Sequence, residues 1–435
     1  MDRFLVEGGR PLQGAVTASG SKNAALPMLA ASLLFEGPAV YRRVPDLADL
    51  RTLFRLLQDL GAEVQVQGDR VQTEVPSHGP TEAPYEVVRK MRASVAVLGP
   101  LLARRGRARV SLPGGCVLGD RPIDLHLKGL HALGADLQVR HGIVEAQAPA
   151  GGLRGGTVYL ASSRGSTVLG TANVMMAASL AKGVTVIEAA AEEPEIEALA
   201  ALLNRAGACI HGAGSHRLEI EGVEALHGGE CEIPPDRIET GTLLLAGALT
   251  RGRVRVNDCR PDELTVLLDL FHRAGVPFAQ GGDGGEAGLR PWLEVQPWPN
   301  PPRVLDVATR PFPGFPTDLQ AQWLAFCTAG EGLALVTDTV YPDRFMHVPE
   351  LNRLGAGIRR EGNTALVVGP VRLSGAPVLA SDLRASAALV LAGLVASGQT
   401  IVRRVYHLDR GYEALEEKLR QLGGRVVRER DPESP

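Results

Sequence analysis

Cysteine is scarce in this chain of 435 residues, and its spacing argues against two kinds of site. No Cys-x-x-Cys pair and no zinc-type spacing of cysteine and histidine occurs among the scattered residues Cys116, Cys209, Cys231, Cys259 and Cys327. An odd and scattered set favours neither a disulfide framework nor a zinc site. We therefore expect no disulfides and no metal, and a reducing, cytoplasmic location.

A large excess of one charge and long apolar runs are also lacking. The formal net charge is −3, which gives no electrostatic basis for binding nucleic acid or an anionic membrane. The most apolar runs, 242–249 and 387–395, are shorter than the ~18 residues of a membrane span. The first residues do not show the basic and apolar segments of a signal peptide. We expect no membrane insertion, and any polyanionic ligand must meet a local cluster of cations.

One motif recurs six times along the chain. In each copy a helix-like segment ends in a glycine and the chain enters a strand-like run, as in LGAEV and LGADL. These glycines are 68 to 80 residues apart: Gly61, Gly134, Gly207, Gly275, Gly355 and Gly423. Glycine is favoured just past a helix C-terminus, where the backbone turns left-handed. The repeat and the length together predict two domains of three units each.

Each unit also contains a second helix-like segment that is apolar nearly all round, such as TANVMMAASLAK. A helix with that composition is buried rather than surface-lying. Strand-like runs such as TVIEAA and RVRVND follow these segments. The alternation predicts an α/β architecture with helices in its interior.

Polar residues of the apolar segments gather at their N-terminal ends. Ordinary capping explains the serine, threonine and aspartate residues there. It does not explain cations, which oppose the helix dipole at that end. Four cations occupy such positions: Lys22, Arg92, Arg237 and Arg384. Because helix N-termini bind anions, these cations indicate a ligand that carries phosphate or another anionic group.

Cys116 lies in the glycine-flanked segment LPGGCVLGD, just before a helix-like segment. Glycines on both sides give the backbone unusual conformational freedom. A thiol near Arg121 and a helix start is suited to act as an acid or a nucleophile. From the spacing alone, a structural cysteine is equally compatible.

Asp318 begins the buried helix-like segment DLQAQWLAFCTA. A carboxylate there is able to accept a proton from a substrate hydroxyl, and simple helix capping is the alternative. Three arginines follow it in the last third of the chain: Arg344, Arg384 and Arg410. Together with Lys22 and Arg121 they supply enough charge for a phosphate and a carboxylate on one ligand.

The chain resembles the UDP-N-acetylglucosamine 1-carboxyvinyltransferases nearly from end to end. The motifs that carry the resemblance are GSKNAALP, KMRAS, LPGGC, RPIDLH, PDRIETG, FPTDLQAQ, DRFMHVPEL, SDLRASAALVLAG and YHLDRGYE. The resemblance implies a two-domain inside-out α/β barrel of six repeated β/α units. It places three units and the cysteine loop in an N-terminal lobe, 22–234, and three units in a C-terminal lobe, 1–21 plus 235–435.

The activity implied by the resemblance is transfer of the enolpyruvyl group of phosphoenolpyruvate to the 3′-hydroxyl of UDP-N-acetylglucosamine. The reaction is an addition followed by an elimination that releases phosphate, it serves peptidoglycan synthesis, and it needs no metal or organic cofactor. Cys116 resembles the acid that protonates phosphoenolpyruvate, and Asp318 resembles the base that acts on the sugar hydroxyl. Cys116 also implies inactivation by epoxide antibiotics of the fosfomycin type.

Further residues gain roles by resemblance only. The cations on the phosphate side are Lys22, Arg121 and Arg410, and those near the carboxylate are Arg344 and Arg384. The contacts to the UDP-sugar are Asn23, Arg92, Arg121, Pro122, Ile123, Asp124, Leu125, Ala161, Ser162, Ser163, Arg164, Asp318 and Val340. Oligomeric state stays open at this point.

Three other functions compete with this one. The first is the sister enolpyruvyl transferase of the shikimate pathway, against which Cys116 and Asn23 both argue. The second is a catalytically silent protein that binds a UDP-sugar, which the presence of Cys116 and Asp318 disfavours. The third is nucleic-acid binding by related repeats, for which the sequence offers no basic face.

Overall fold

The computed structural model describes residues 1–112, 123–163, 165–282 and 290–432. These residues form two compact units. The C-terminal unit consists of residues 1–19, 235–282 and 290–432, and the N-terminal unit consists of residues 20–112, 123–163 and 165–234. Each unit has its own large hydrophobic core. The two lobes that the family resemblance implies, with their boundaries, stay a prediction.

Helices begin and end as follows. The α-helices of the described chain are α1 (Lys22–Ala30), α2 (Ala48–Asp59), α3 (Tyr85–Val88), α4 (Leu98–Arg105), α5 (Asp124–Ala132), α6 (Val168–Ala178), α7 (Pro194–Arg205), α8 (Arg237–Leu249), α9 (Thr265–Ala274), α10 (Gln320–Cys327), α11 (His347–Arg353), α12 (Leu383–Val395) and α13 (Leu415–Gln421). Short 3-10 helices lie at Ala31–Leu34, Arg92–Val97, Pro261–Leu264, Thr317–Leu319 and Val405–Arg410.

The strands are short and numerous. In chain order they are β1 (Asp2–Glu7), β2 (Gln13–Thr17), β3 (Phe35–Glu36), β4 (Ala39–Arg42), β5 (Glu63–Gln67), β6 (Arg70–Glu74), β7 (Glu82–Ala83), β8 (Arg107–Ser111), β9 (Asp136–Arg140), β10 (Ile143–Gln147), β11 (Thr157–Tyr159), β12 (Ala161–Ser162), β13 (Gly165–Ser166), β14 (Val184–Glu188), β15 (Cys209–His211), β16 (Arg217–Glu221), β17 (Leu226–His227), β18 (Glu230–Glu232), β19 (Arg253–Asn257), β20 (Phe278–Gly281), β21 (Trp292–Val295), β22 (Val307–Ala308), β23 (Gly332–Thr337), β24 (Arg359–Glu361), β25 (Thr364–Gly369), β26 (Pro377–Leu379), β27 (Gln399–Arg403) and β28 (Arg425–Arg430).

Six four-stranded sheets with one common pairing scheme are present in the described residues. Their strand orders are β18-β4-β6-β5, β7-β8-β10-β9, β11-β14-β16-β15, β2-β19-β21-β20, β22-β23-β25-β24 and β26-β27-β1-β28. In every sheet the first two strands pair in parallel and the remaining pairs are antiparallel. The prediction of six repeated β/α units is confirmed.

The predicted glycines end their helices in the expected way. All six have positive φ angles, between 79° and 110°: Gly61, Gly134, Gly207, Gly275, Gly355 and Gly423. A residue with a Cβ atom is strained in this left-handed region, which explains why glycine recurs there.

The helices predicted to be buried do form the interior of each unit. Every residue of α8 is buried, and α6 and α12 are buried along nearly their whole length. Strands such as β19 alternate buried residues with exposed or half-buried ones, so one face of each sheet covers these helices. No helix in the described ranges has the length and apolar character that crossing a bilayer requires.

A buried amide joins three helical segments inside the N-terminal unit. Asn173 on α6 has no exposed surface, and its Oδ1 atom accepts a hydrogen bond of 2.8 Å from the backbone N–H of Gly99 on α4. Its Nδ2 atom donates to the carbonyl oxygen of Val95 and to Nδ1 of His126 on α5, both at 2.8 Å. Burial lowers the pKa of His126 to about 4, so the imidazole is neutral and accepts this bond. All polar atoms of the amide are therefore used.

We expect Asn173→Ala to lower the free energy of unfolding by about 2–4 kcal/mol, because it leaves buried backbone groups unpaired and creates a cavity. Asn204→Ala is the matched control, since Asn204 also bonds a backbone N–H and C=O, both of Ile210, but is exposed to water. Water replaces the lost bonds there, so we expect a loss below about 1 kcal/mol. Urea unfolding measures both changes, and equal losses would contradict the role given to the buried amide.

Candidate functional site

A shared carboxylate is the centre of the polar cluster in the C-terminal unit. Asp318, in the 3-10 helix that precedes α10, accepts a hydrogen bond from Nη1 of Arg344 and another from Nη2 of Arg384, each 2.8 Å long. The arginine side chains are 6% and 2% exposed, and that of Asp318 is 23% exposed. Among these three side chains, Asp318 is therefore the one most exposed to solvent.

The electrostatics keep both guanidinium groups charged. Burial is the largest single influence and lowers the pKa of both arginines, but Asp318, together with Asp382 beside Arg344 and with Tyr412 and Asp236 beside Arg384, outweighs it and raises both pKa values above the ordinary value. Breaking such a pair leaves an uncompensated buried charge, which is strongly destabilising.

Neighbouring side chains hold Arg384 in place. Asp382 caps α12 by accepting from the backbone N–H groups of Arg384 and Ala385, at 2.9 and 3.1 Å. The guanidinium carbon lies 5.1 Å from the ring centroid of Tyr412, a cation–π distance. The Tyr412 hydroxyl is itself fixed by Thr242 and Gln322, at 2.9 and 3.0 Å. Arg384 thus lies in a preorganised position.

Several donors of the two arginines bond to no group in the described residues. Within the described chain, buried Nε of Arg344 and buried Nε and Nη1 of Arg384 have no hydrogen-bond partner. Buried donors normally find an acceptor. Guanidinium groups pair readily with carboxylates and phosphates, so an anionic ligand is a fitting acceptor at this cluster.

Val340 and Arg410 lie elsewhere in the same unit. Val340 is half-buried in a turn before Arg344, and its N–H donates to Asp338 at 3.0 Å. Arg410 is half-buried at the end of the 3-10 helix Val405–Arg410. Burial lowers the pKa of His407 in that helix, and the charge of Arg410 lowers it further.

Three candidate residues of the N-terminal unit lie at helix starts. Lys22 and Asn23 open α1, whose cap is Ser21, and Nζ of Lys22 is 3.6 Å from Oδ2 of Asp49. Arg92 opens the 3-10 helix Arg92–Val97. These positions confirm the predicted placement of cations at helix N-termini.

Two further segments of the N-terminal unit carry predicted contacts. Asp124 and Leu125 begin α5, with Ile123 just before it, and Asp124 is exposed. Ala161 and Ser162 form β12, which pairs with β13, and Ser163 is exposed in the turn that follows β12. The predicted residues Cys116, Arg121, Pro122 and Arg164 lie outside the described residues.

Sequence reasoning missed three residues that support these side chains. Asp49 pairs with Lys22, Asp338 holds the turn of Val340, and Tyr412 faces Arg384. Asp49 and Asp338 lie outside the motifs that carry the family resemblance, so no local signal identifies them, whereas Tyr412 belongs to the motif YHLDRGYE, which is the signal that could have found it. The structure brings Asp318, Arg344 and Arg384 together directly, and the other predicted residues stay spread over their units.

We expect Asp318→Ala to destabilise the protein by about 3–5 kcal/mol, because two buried guanidinium groups lose their shared partner. Added pyruvate, a small carboxylate, should raise the melting temperature of this variant more than that of the wild type. Asp343→Ala is the control, since its ion pair with Arg360 is exposed and removal should cost less than about 0.5 kcal/mol. An Asp318→Ala variant that melts like the wild type and gains nothing extra from pyruvate would contradict an anion site here.

Comparisons with a family model and with curated relatives agree on the family of this chain. Residues 6–419 match the family model of EPSP synthase (3-phosphoshikimate 1-carboxyvinyltransferase). The UDP-N-acetylglucosamine 1-carboxyvinyltransferase of Desulfosudis oleivorans is 51% identical over 98% of this chain and 99% of its own length. The protein of the same name from Anaeromyxobacter sp. (strain Fw109-5) is 53% identical over 99% of this chain and all of its own.

Solved structures agree on the fold. The enolpyruvyl transferase NikO from Streptomyces tendae is 25% identical, with a TM-score of 0.88 over 99% of both chains. EPSP synthase from Acinetobacter baumannii is 17% identical, with a TM-score of 0.74 over 99% of this chain and 100% of that one, and shows the fold alone. This chain therefore belongs to the enolpyruvyl transferases and, within them, to the UDP-N-acetylglucosamine 1-carboxyvinyltransferase family.

Proposed function

We propose that this chain transfers the enolpyruvyl group of phosphoenolpyruvate to the 3′-hydroxyl of UDP-N-acetylglucosamine and releases phosphate, in cell-wall peptidoglycan synthesis. The observation that carries the proposal is Asp318 between two buried arginines, in a chain with full-length relatives of that name. The arrangement supplies a carboxylate able to accept a proton and unused cationic donors for an anionic substrate.

The chemistry divides into addition and elimination. In the addition, Cys116 protonates the methylene carbon of phosphoenolpyruvate, the sugar hydroxyl attacks the neighbouring carbon, and Asp318 takes the proton of that hydroxyl. In the elimination, the thiolate of Cys116 takes a proton back from the new methyl group of the tetrahedral ketal, and phosphate leaves with the electron pair of its C–O bond, which restores the double bond. The family resemblance supports the role of Cys116, and the exposed edge of Asp318 supports its role as base.

The cations have separate tasks in this proposal. Lys22, Arg121 and Arg410 bind the phosphate side, and Arg344 and Arg384 bind the carboxylate of phosphoenolpyruvate. Charge-assisted hydrogen bonds from arginine to a carboxylate are strong and directional. The unused donors of the buried pair support the second assignment. No cofactor takes part in the proposed reaction.

The UDP-sugar contacts and the lobes also belong to the proposal. The sugar nucleotide is bound by Asn23, Arg92, Arg121, Pro122, Ile123, Asp124, Leu125, Ala161, Ser162, Ser163, Arg164, Asp318 and Val340. Residues 22–234 and residues 1–21 plus 235–435 act as the two lobes, and the enzyme works in the cytoplasm. Family membership supports these assignments.

The shikimate-pathway reaction is the nearest alternative. The relatives at 51% and 53% identity carry the sugar-nucleotide name, whereas the EPSP synthase structure is only 17% identical. Cys116 and Asn23 match the motifs of the sugar-nucleotide family. These observations favour UDP-N-acetylglucosamine as the acceptor.

We expect phosphate release from phosphoenolpyruvate with UDP-N-acetylglucosamine and none with shikimate 3-phosphate. Asp318→Asn should lower the rate at least about 100-fold, because an amide does not accept the hydroxyl proton. A colorimetric phosphate assay on folded protein measures both effects. If phosphate is released with neither acceptor, the proposed activity is refuted. If the Asp318→Asn variant keeps full activity, Asp318 is not the base.

We expect an epoxide antibiotic of the fosfomycin type to alkylate Cys116 and abolish phosphate release in parallel. Cys209→Ala is the matched control, because Cys209 is a half-buried thiol on β15 without a role in the reaction. That variant should keep full activity and full sensitivity, whereas Cys116→Ala should lose both. Intact-mass and peptide mapping locate the adduct, and full activity with Cys116 alkylated would refute its importance.

A further inference from the structure

Asp338 is a buried carboxylate that the reaction as proposed above does not use. It has no exposed surface and follows β23. In the described residues no cation contacts it, and its oxygen atoms accept hydrogen bonds from two hydroxyls and two backbone N–H groups. Burial of a carboxylate costs free energy unless the group is hydrogen-bonded. The presence of Asp338 among these donors therefore suggests a specific role for this side chain.

One oxygen of Asp338 fixes the turn that contains Val340. Oδ1 accepts from the N–H of Val340 at 3.0 Å and from the N–H of Tyr341 at 2.7 Å. It also accepts from Oγ1 of Thr309 at 2.8 Å, and Thr309 in turn accepts from the N–H of Thr339 at 3.0 Å. Every backbone N–H from 339 to 341 is thereby held, directly or through Thr309, by this carboxylate.

The other oxygen of Asp338 reaches the catalytic pair. Oδ2 accepts from Oγ1 of Thr317 at 2.7 Å. Because the single hydroxyl proton of Thr317 points to Asp338, its lone pairs are free to accept, and Nη1 of Arg344 donates to it at 3.0 Å. The same Nη1 atom donates to Asp318 at 2.8 Å. Thr317 therefore sets where Arg344 lies beside Asp318.

We propose that Asp338 is a positioning residue that couples the Val340 turn to the Asp318–Arg344 pair. The inference rests on the proposed function, in which Val340 contacts the UDP-sugar and Asp318 acts on its hydroxyl. Through Thr309 and the turn, Asp338 places the sugar nucleotide, and through Thr317 it places the arginine beside the base. One rigid carboxylate thus holds the acceptor and the base in a common geometry, on which such a reaction depends steeply.

The two branches are separable by isosteric substitution. Thr317→Val removes the branch to Arg344, that is, both the bond from Thr317 to Asp338 and the bond from Arg344 to Thr317. We expect kcat to fall about tenfold with the KM for UDP-N-acetylglucosamine nearly unchanged. Thr309→Val removes two bonds on the turn side, the one to Asp338 and the one from the N–H of Thr339, and we expect the KM for UDP-N-acetylglucosamine to rise about fivefold with a smaller change in kcat. Asp338→Asn should combine both effects, and Thr317→Ser, which keeps the hydroxyl, should restore kcat.

The matched control is Thr364→Val. Its hydroxyl pairs with that of Thr337 at 2.9 Å on the neighbouring strand of the same sheet, and it has no bond to Asp338. We expect kinetics within twofold of the wild type. Steady-state phosphate release over both substrates, beside circular dichroism and melting temperature, measures the full set.

The outcomes are distinct. Values within twofold of the wild type for Asp338→Asn and both threonine variants would overturn the proposal, as would equal losses in Thr364→Val. If Asp338→Asn does not fold, the split between Thr317→Val and Thr309→Val decides alone, and the absence of that split is a refutation. If the wild type releases no phosphate, the proposed function is refuted. The positioning variants by themselves do not test the proposed function.

Discussion

The burial of two guanidinium groups is the constraint on which the C-terminal unit depends. An arginine cannot shed its proton at ordinary pH, so its charge must be compensated where water is excluded. Asp318 compensates both groups at once, and the ring of Tyr412 faces one of them. The starts of α10 and α12 must therefore lie side by side. The same contact between Asp318 and the two arginines therefore fixes the packing of these helices and forms the site.

The repeated unit makes that arrangement available. Each of the six four-stranded sheets in the described chain has the same pairing, and these sheets cover apolar helices on their inner faces. The first turn of a helix has backbone N–H groups without an intrahelical partner and the positive end of the dipole. Polar residues and anions are therefore best accommodated at the N-terminal ends of these apolar helices. Lys22, Arg92 and Arg384 all occupy such starts or their first turn.

Two buried polar clusters, one in each unit, differ in how their hydrogen bonds are satisfied. In the N-terminal unit, Asn173 and a neutral His126 satisfy each other and the backbone, and the result is a closed network. In the C-terminal unit, Arg344 and Arg384 keep buried donors that the described protein does not use. A closed network stabilises the fold, and an incomplete one leaves capacity for a ligand. The contrast separates a structural polar cluster from one suited to an anionic substrate.

The sequence by itself determined the repeated α/β architecture, because glycine at left-handed helix ends and helices apolar on all sides are local signals with a direct backbone cause. It also indicated Asp318 and the cations at helix starts, and the motifs indicated the family. Only the tertiary structure decided which side chains meet. Asp318 and Arg384 are 66 residues apart, and the bonds of Asp338 join three separate segments. Such contacts depend on strand register, helix packing and rotamers, and no local pattern of residue types records them.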